Sequence, residues 1–482
     1  MAAPVFEPGT AQSQDAAIVI VDQAALRAAP RDSAQQQAQL RQGELLEVRG
    51  ERLDYLQVWD HQRERGGFIR ASSLRRLTMT AADAPDLLAV VRFVRDMPGA
   101  EAMGIAFAAA YLKAAPAETL KGSEGAEALD ALGTMADRLA DRVSSGSELP
   151  KTAQATLAAH VDVASHYGVV FRSEEQGGRM QVCYDGDAFR RVLAMNPSPG
   201  QQARAVLGLT RGECIPSPPQ PAKRLAADEW RADVLEHVDA ATLPKYMGNR
   251  VHMRRAQVWA ALAYERARTG GAATVAAQRA LAELMSVSKT DLTDADQSTY
   301  NDTAMRVSAS RWAVEPVPKI AGQPSIVIQP GAPGETCVLL VDMKNDESHP
   351  LARRCTYALV FPQSATLNRE RNTLALAVQP LEAWRELWVF RKRGNAWAID
   401  VLPPANVDPR LGYVDFAGWV PGGRQMLVAR EARGSNGRWS HSFEIVSLDS
   451  MTSTRQSSDA AQLGSFRRWQ DPQWKRATVA LR

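Results

Sequence analysis

Seven histidines and four cysteines are the side chains best suited to chemistry in this sequence. His160 and His166 stand six apart in AAHVDVASHYG, with Asp162 between them. Two histidines grip one metal from a helix at a spacing of four, and a spacing of six turns them to different faces. His237 and His252 stand singly in helical segments, and His349 lies in the polar loop NDESHP. All read as exposed or hydrogen-bonded histidines, with His349 the weak candidate for a cation. There is no GxSxG elbow, no GxxxxGK[ST] loop and no GxGxxG turn after a strand. A cysteine peptidase needs a thiolate at a helix start with a histidine downstream. Cys183 instead sits in a strand-like run and Cys214 beside proline-rich coil. The clustered His and Glu ligands of a zinc amidase are missing. A carboxylate-based muramidase needs a paired acid and base, and with 54 acidic residues the sequence cannot single out a pair.

The cysteines fall as two local pairs, Cys183 with Cys214 and Cys337 with Cys355. An even count suits two disulfides in an oxidising compartment. Of the three possible connectivities, the local one keeps each bridge inside a domain and contributes about 3 kcal/mol per bridge on the chain-entropy model. No CxxC occurs and no cysteine has a histidine three to five residues away, which argues against zinc. Buried free thiols are the alternative. No metal and no cofactor is expected.

A length of 482 residues allows about three domains. Net charge is +3, from 57 basic and 54 acidic residues, and that balance argues against nucleic acid, which needs a basic stripe. No apolar run is long enough to span a membrane. The start MAAPVFEPGT has neither the basic nor the apolar region of a signal peptide. Ala2-Ala3-Pro4 after Met1 reads as a mature exported chain whose leader has been replaced, so a periplasmic or secreted location is expected.

Residues 1–15 read as a flexible lead-in. From 16 to 78, short apolar runs alternate with Gly and charged turns: Ile18 to Val21, Leu45 to Val48, Tyr55 to Trp59, then Phe68-Ile69 after Gly66-Gly67. Such runs read as strands of a small barrel. Leu26-Arg27 with Pro30, Leu40 with Gly43, Val48 with Gly50-Glu51, Tyr55 with Val58, Gly67-Phe68-Ile69 and Leu74 follow in an order and spacing that resembles the bacterial SH3 domain family. The family often has Trp at the place of Tyr55, and Gly-Trp-Val where this chain has Gly67-Phe68-Ile69. The resemblance implies a five- to seven-stranded barrel that binds peptide, often from the cell wall, or a neighbouring domain of its own chain. Tyr55, Trp59 and Phe68 are the aromatics that can line its groove. Alternatively, Tyr55 and Phe68 serve the small core, leaving Trp59, which leads into the polar turn WDHQRERGG, as the surface candidate.

Residues 79–314 read as helical, with a hairpin near 169–184 around EEQGG that a Cys183–Cys214 bridge would tie down. The run CIPSPPQPAKR is too proline-dense for helix or inner strand. The helix pairs beyond it resemble tetratricopeptide pairs without a clean 34-residue period, and read as an irregular bundle. Residues 317–482 read as β. Aligned by their aromatics, Phe416 falls on Phe466, Trp419 on Trp469 and Trp384 on Trp439, a repeat that resembles propeller blades. A β-sandwich is the alternative. The expected architecture is therefore multidomain α+β: an SH3-like β-barrel, an irregular helical middle and an all-β C-terminal domain.

With no catalytic constellation in sight, the expected function is binding. The chain reads as a non-enzymatic, exported envelope protein that recognises peptidoglycan peptide or an envelope protein. Two alternatives stand beside it: a cell-wall hydrolase built from scattered carboxylates of the helical middle, and an SH3-like domain that docks only within its own chain.

Overall fold

The computed structural model describes residues 15–146, 149–176, 179–215, 220–315, 322–344, 346–405, 411–434 and 437–477. The expected flexible lead-in, apart from Asp15, lies outside the described residues, as do the tip of the 169–184 hairpin and most of the proline run after Cys214. The chain is mixed α+β, with an N-terminal sheet, a helical middle and a C-terminal β region. It divides into two compact units, Met1–Pro216 and Ser217–Arg482. The division falls inside the helical middle, at the proline-dense run.

The first unit opens with β1 (Ala16–Val19), β2 (Ala24–Arg27), β3 (Gln36–Leu40), β4 (Leu45–Arg52), β5 (Tyr55–Asp60), β6 (Arg65–Arg70) and β7 (Leu74–Leu77). They form one sheet in the order β3-β2-β6-β5-β4-β1-β7. Its inner face gathers Val19, Leu26, Leu40, Leu46, Leu56, Val58, Ile69 and Leu74 into one core. Leu40 and Leu74 come from the two edge strands, so the sheet curls around that core. The expected barrel nevertheless does not close, because β3 and β7 do not pair. The reason lies in β1, where all four residues are buried. Ala17 and Val19 face the sheet core, whereas Ile18, with Leu77 of β7, enters the core of the helices. One side of the sheet is thus spent on a second layer.

That layer holds α1 (Ala84–Val94), α2 (Glu101–Ala114), α3 (Ala117–Leu120), α4 (Ser123–Ser145) and α5 (Lys151–His166). Then come the hairpin β8 (Phe171–Gln176) and β9 (Arg179–Tyr184), and helices α6 (Asp187–Leu193) and α7 (Pro199–Leu209). The stripe Leu129, Leu132, Ala136 and Leu139 of α4 is buried, as its helical spacing predicts. Phe189 of α6 packs where Gly133 of α4 and Gly208 of α7 leave room for its ring. Cys183 of β9 is bonded to Cys214, so the bridge pins the hairpin to the chain just beyond α7.

The second unit begins with α8 (Pro221–Glu236), α9 (Lys245–Thr269), α10 (Ala273–Met285) and α11 (Asp294–Ser310). Gly270 ends α9 in the left-handed conformation, at φ +75°, which a side chain would resist. Three antiparallel meanders follow. The first is β10 (Ser325–Pro330), β11 (Thr336–Val341) and β12 (Ala352–Thr356). The second is β13 (Leu359–Leu367), β14 (Thr373–Leu381), β15 (Trp384–Arg393) and β16 (Ala396–Leu402). The third is β17 (Gly412–Val420), β18 (Gln425–Arg433), β19 (Trp439–Ser447) and β20 (Ser453–Ser457), joined to the second by a short parallel pairing of β15 with β17. Cys337 and Cys355 are direct cross-strand partners on β11 and β12 and are bonded to each other.

Successive meanders pack through alternating faces. Val338 and Leu340 of β11 lie on Leu374, Leu376, Trp388 and Phe390. Ala375, Leu387 and Val389, on the other face of β14 and β15, lie on Val414, Phe416, Met426 and Val428. Ala417, Leu427 and Ala429 then meet Phe466 and Trp474, from α12 (Gly464–Trp469) and α13 (Pro472–Ala477). The repeat read in the sequence holds in one register only. Trp384 and Trp439 both open the third strand of a four-stranded meander. Phe466 and Trp469, matched to Phe416 and Trp419, are instead helical. Phe466 is buried in the helix that closes the open face of the last meander while Trp469 is exposed, and no ring of blades forms among the described residues.

At the centre of this unit Arg385 of β15 is fully buried. It donates to Asp415 of β17 and to the Ser308 and Ala309 carbonyls at the end of α11. A guanidinium there adds a donor to the Ser308 carbonyl, which also accepts from the Arg311 amide, and complements the helix dipole. Burial lowers the Arg385 pKa to about 10. Among the described residues, no helix is long and apolar enough to cross a membrane.

Candidate functional site

Tyr55, Trp59 and Phe68 share one surface. In the β5–β6 register Tyr55 faces Arg70, Gln57 faces Phe68 and Trp59 faces Gly66. The intervening Leu56, Val58 and Ile69 point to the core, so the aromatics occupy the outer face, as the period of two dictates. The structure brings them together but leaves them unequal. Tyr55 is only 3% exposed; its hydroxyl donates to Asp32 at 2.6 Å, and the Arg70 guanidinium lies 5.4 Å from its ring centre. Arg70 also donates to Asp32, and these bonds, Arg70 first and Tyr55 second, hold the Asp32 carboxyl down at about 2. The same Asp32 bond raises the Tyr55 phenol. Trp59 is half-buried, with the Arg49 guanidinium 4.4 Å from its ring centre and Gly66 behind it. Phe68 is half-buried. The outer face is therefore already covered by the chain's own arginines.

A groove opens where the sheet meets the helices of the same unit. Its volume is about 590 Å3. Leu45 from the start of β4, Met79 from the β7–α1 link and Val163 from α5 supply apolar surface. Glu47, His61, Lys113 and His166 stand among its polar lining. Glu47 accepts from Arg49 at 3.0 Å and sits 2.7 Å from His61 Nε2. Arg49 first, then His61, lowers its carboxyl pKa. Arg49, Glu47 and His61 thus link the Trp59 face to the groove. Glu44, on the groove wall, is buried and held by Arg63 at 2.7 Å, which also grips Asp60 at 2.8 Å.

The seam that builds the groove is specific. Tyr167, at the end of α5, donates to the Gly43 carbonyl at 2.6 Å, and burial raises its phenol pKa. Gly43 has φ +92°, and a Cβ there would lie 2.7 Å from the Ala102 carbonyl oxygen of α2. His160 of α5 is buried 3.5 Å from Asp22 on the β1–β2 link. The arrangement offers an apolar trench with both signs of charge at its rim, suited to an extended peptide with an apolar anchor side chain.

Of the histidines considered for metal, His166 faces the Asp162 carbonyl, His237 the Asp233 carbonyl, His252 pairs with Glu283 and His349 with Asp346. The groove residues Leu45, Met79, Val163 and Tyr167 escape a sequence reading, because they converge from three separate places, the start of β4, the β7–α1 link and the end of α5. Gly43 and the Tyr167-Gly168 stop of α5 are the local signals that mark the seam. No protein-family model matches the chain, and neither does any curated protein or solved structure. The functional reading rests on geometry.

Proposed function

We propose that the protein is a non-enzymatic, exported binding protein of the bacterial cell envelope, and that its SH3-like sheet, together with α5, recognises a peptidoglycan peptide. The observation that carries this reading is the groove at the sheet–helix seam. Its apolar surface at Leu45, Met79 and Val163 suits a side chain, and Glu47 and Lys113 suit the amine and carboxylate of a wall peptide. Two disulfides are in keeping with an oxidising compartment. The stacked meanders of the second unit resemble propeller blades packed face to face, with a β-sandwich as the other description, and would serve as a scaffold.

Co-sedimentation of the full chain with purified peptidoglycan tests the proposal. The wild type is expected to pellet, and the exposed-site variants Leu45→Arg and Lys113→Glu to remain in solution. A wild type that stays in solution removes the wall ligand and leaves an envelope protein as the partner. Variants that pellet like the wild type remove the groove. A zymogram on the same wall material is expected to show no clearing, and clearing would favour the hydrolase.

A second reading, that the sheet serves only its own chain, draws support from the Tyr167–Gly43 bond and from Ile18 and Leu77 in the helical core. It predicts no wall or envelope ligand for the groove at all.

A further inference from the structure

The bridge between β11 and β12 has a third group beside it. Cys337 and Cys355 are direct partners in the antiparallel ladder, so both side chains leave the same face. Glu335 stands two residues before Cys337, in the β10–β11 turn. One of its carboxylate oxygens and the two sulfurs lie within 4.8 Å of one another. Among the described residues, no other set of three His, Cys, Asp or Glu side chains meets that limit, and Cys183 and Cys214 belong to none.

The surroundings hold these atoms in place. The Ala332 amide donates to Glu335 Oε2 at 3.0 Å and fixes the carboxylate. Gly331 leaves the space open: a Cβ there would stand 2.5 Å from Glu335 Oε2 and 3.1 Å from Cys337 Sγ. Arg353, two residues before Cys355, brings its guanidinium to 3.6 Å from Cys337 Sγ. Cys337 is 1% exposed and Cys355 is half-buried, so Cys355 is the sulfur a reagent reaches. The ladder does not depend on the bridge. Thr336 pairs with Thr356 and Val338 with Arg354 on either side of it, and β10 pairs along the other edge of β11. Opening the bridge therefore leaves both cysteines where they are.

Two thiolates and a carboxylate are ligands for a borderline-soft cation, and zinc suits them best. On one tetrahedral zinc, two thiolate sulfurs stand about 3.8 Å apart, a separation that side-chain rotation on a fixed ladder supplies. Three negative ligands and Zn2+ leave one negative charge, which the Arg353 guanidinium offsets. Three protein ligands leave the fourth position to water. A search by cysteine and histidine spacing passes over this set, because its third ligand is a glutamate.

We propose that Glu335, Cys337 and Cys355 form a zinc site gated by thiol chemistry, closed while the cysteines are bonded to each other and open once they are reduced. A dithiol attacks Cys355 Sγ, and the S–S bond breaks with its electron pair on Cys337 Sγ. The second thiol then closes the reagent into its own disulfide and releases Cys355, so two electrons pass to the protein sulfurs. Zinc displaces the two thiol protons as it binds. In an oxidising compartment the bridge keeps zinc out. The site lies in the unit that does not carry the peptide groove, and it stands whether or not that reading holds.

Titration of the full chain with cobalt(II), followed by displacement with zinc(II), is the test. It is run on the oxidised chain and on the chain reduced without oxygen by a water-soluble phosphine, which becomes its oxide. The reduced chain is expected to take up a single equivalent of cobalt with the charge-transfer band of thiolate ligands. Zinc is expected to displace it with a dissociation constant at or below about 1 μM. The oxidised chain is expected to show no such band. Cys337→Ser is expected to lose the site, and Glu335→Gln to keep the thiolate band while binding at least about tenfold more weakly. Both variants retain Cys183 and Cys214, so an unchanged band in Cys337→Ser assigns the metal to that pair and overturns the proposal. A reduced chain without the band overturns it, as does an oxidised chain that binds as tightly as the reduced one. Unchanged affinity in Glu335→Gln removes the glutamate and overturns the three-ligand set. Amide exchange in the reduced chain is expected to leave β11 and β12 protected, and loss of that protection overturns the preformed site.

Discussion

Gly43→Ala is a one-methyl change that should unseat the N-terminal sheet from its helices. Three costs add. At φ +92° an alanine is in a region L-residues avoid, at about 1–2 kcal/mol. The new Cβ would stand 2.7 Å from the Ala102 carbonyl oxygen and 2.9 Å from its carbon. These are backbone atoms inside α2, so relief requires moving a helix rather than rotating a side chain, at about 1–3 kcal/mol for overpacking. That movement also stretches the part-buried Tyr167–Gly43 hydrogen bond of 2.6 Å, worth about 1 kcal/mol. The sum, about 3–6 kcal/mol, is a large part of the stability of an ordinary domain. Urea denaturation should show the loss, and amide exchange should place the new openness in β1, α2 and α5 rather than in α6 or α7. Tyr167→Phe, which removes only the hydrogen bond, should cost about 1 kcal/mol. A Gly43→Ala loss below about 0.5 kcal/mol would refute the reasoning, since a close backbone contact cannot be relieved so cheaply.

Three further outcomes are expected. His160 is buried among Asp22, Arg41, Glu101 and Arg142, and burial lowers its pKa below the ordinary 6.5; the unfolded chain then binds the extra proton first, so stability is full above about pH 6.5 and falls as the pH drops below it, and urea midpoints at neutral and mildly acidic pH should diverge in the wild type but much less in His160→Phe. Asp415→Asn leaves the fully buried Arg385 without its carboxylate and should cost about 3–5 kcal/mol, seen as a drop in melting temperature. Replacing both Cys183 and Cys214 with serine opens a loop of 31 residues and should cost about 3–4 kcal/mol by denaturant titration.

The local grammar of the sequence was largely faithful. Gly270 stops α9, Pro199 opens α7 behind a Ser198 capping box, and the four cysteines pair as neighbours. The alternation of Tyr55, Gln57 and Trp59 puts the aromatics on one face, which the period of two makes legible. Asp32, which immobilises Tyr55, lies 23 residues away, and no local pattern marks it. The open sheet edge was hidden for a related reason: Ile18 reads as one more barrel residue, and only the tertiary packing shows that it faces the other way. At Phe466 and Trp469 two periods competed. An aromatic pair three apart fits a repeat of Phe416 and Trp419, but it also fits one turn of helix, and burial of Phe466 against Phe443 and Trp474, with Trp469 left exposed, selects the helix.

The two-sided burial of β1 bears on the order in which the chain can acquire its structure. The strand leaves the ribosome well before the helices that cover it, so one of its faces has no cover until those helices have followed. Tyr167, which latches the seam, comes 124 residues after Gly43. Until then Ile18 and Leu77 stay open to solvent or to a chaperone, because the surface that buries them has not yet been made. The sheet is thereby a late-maturing element, completed by what is synthesised after it, and a nascent chain halted before α5 would hold an adhesive, half-finished edge.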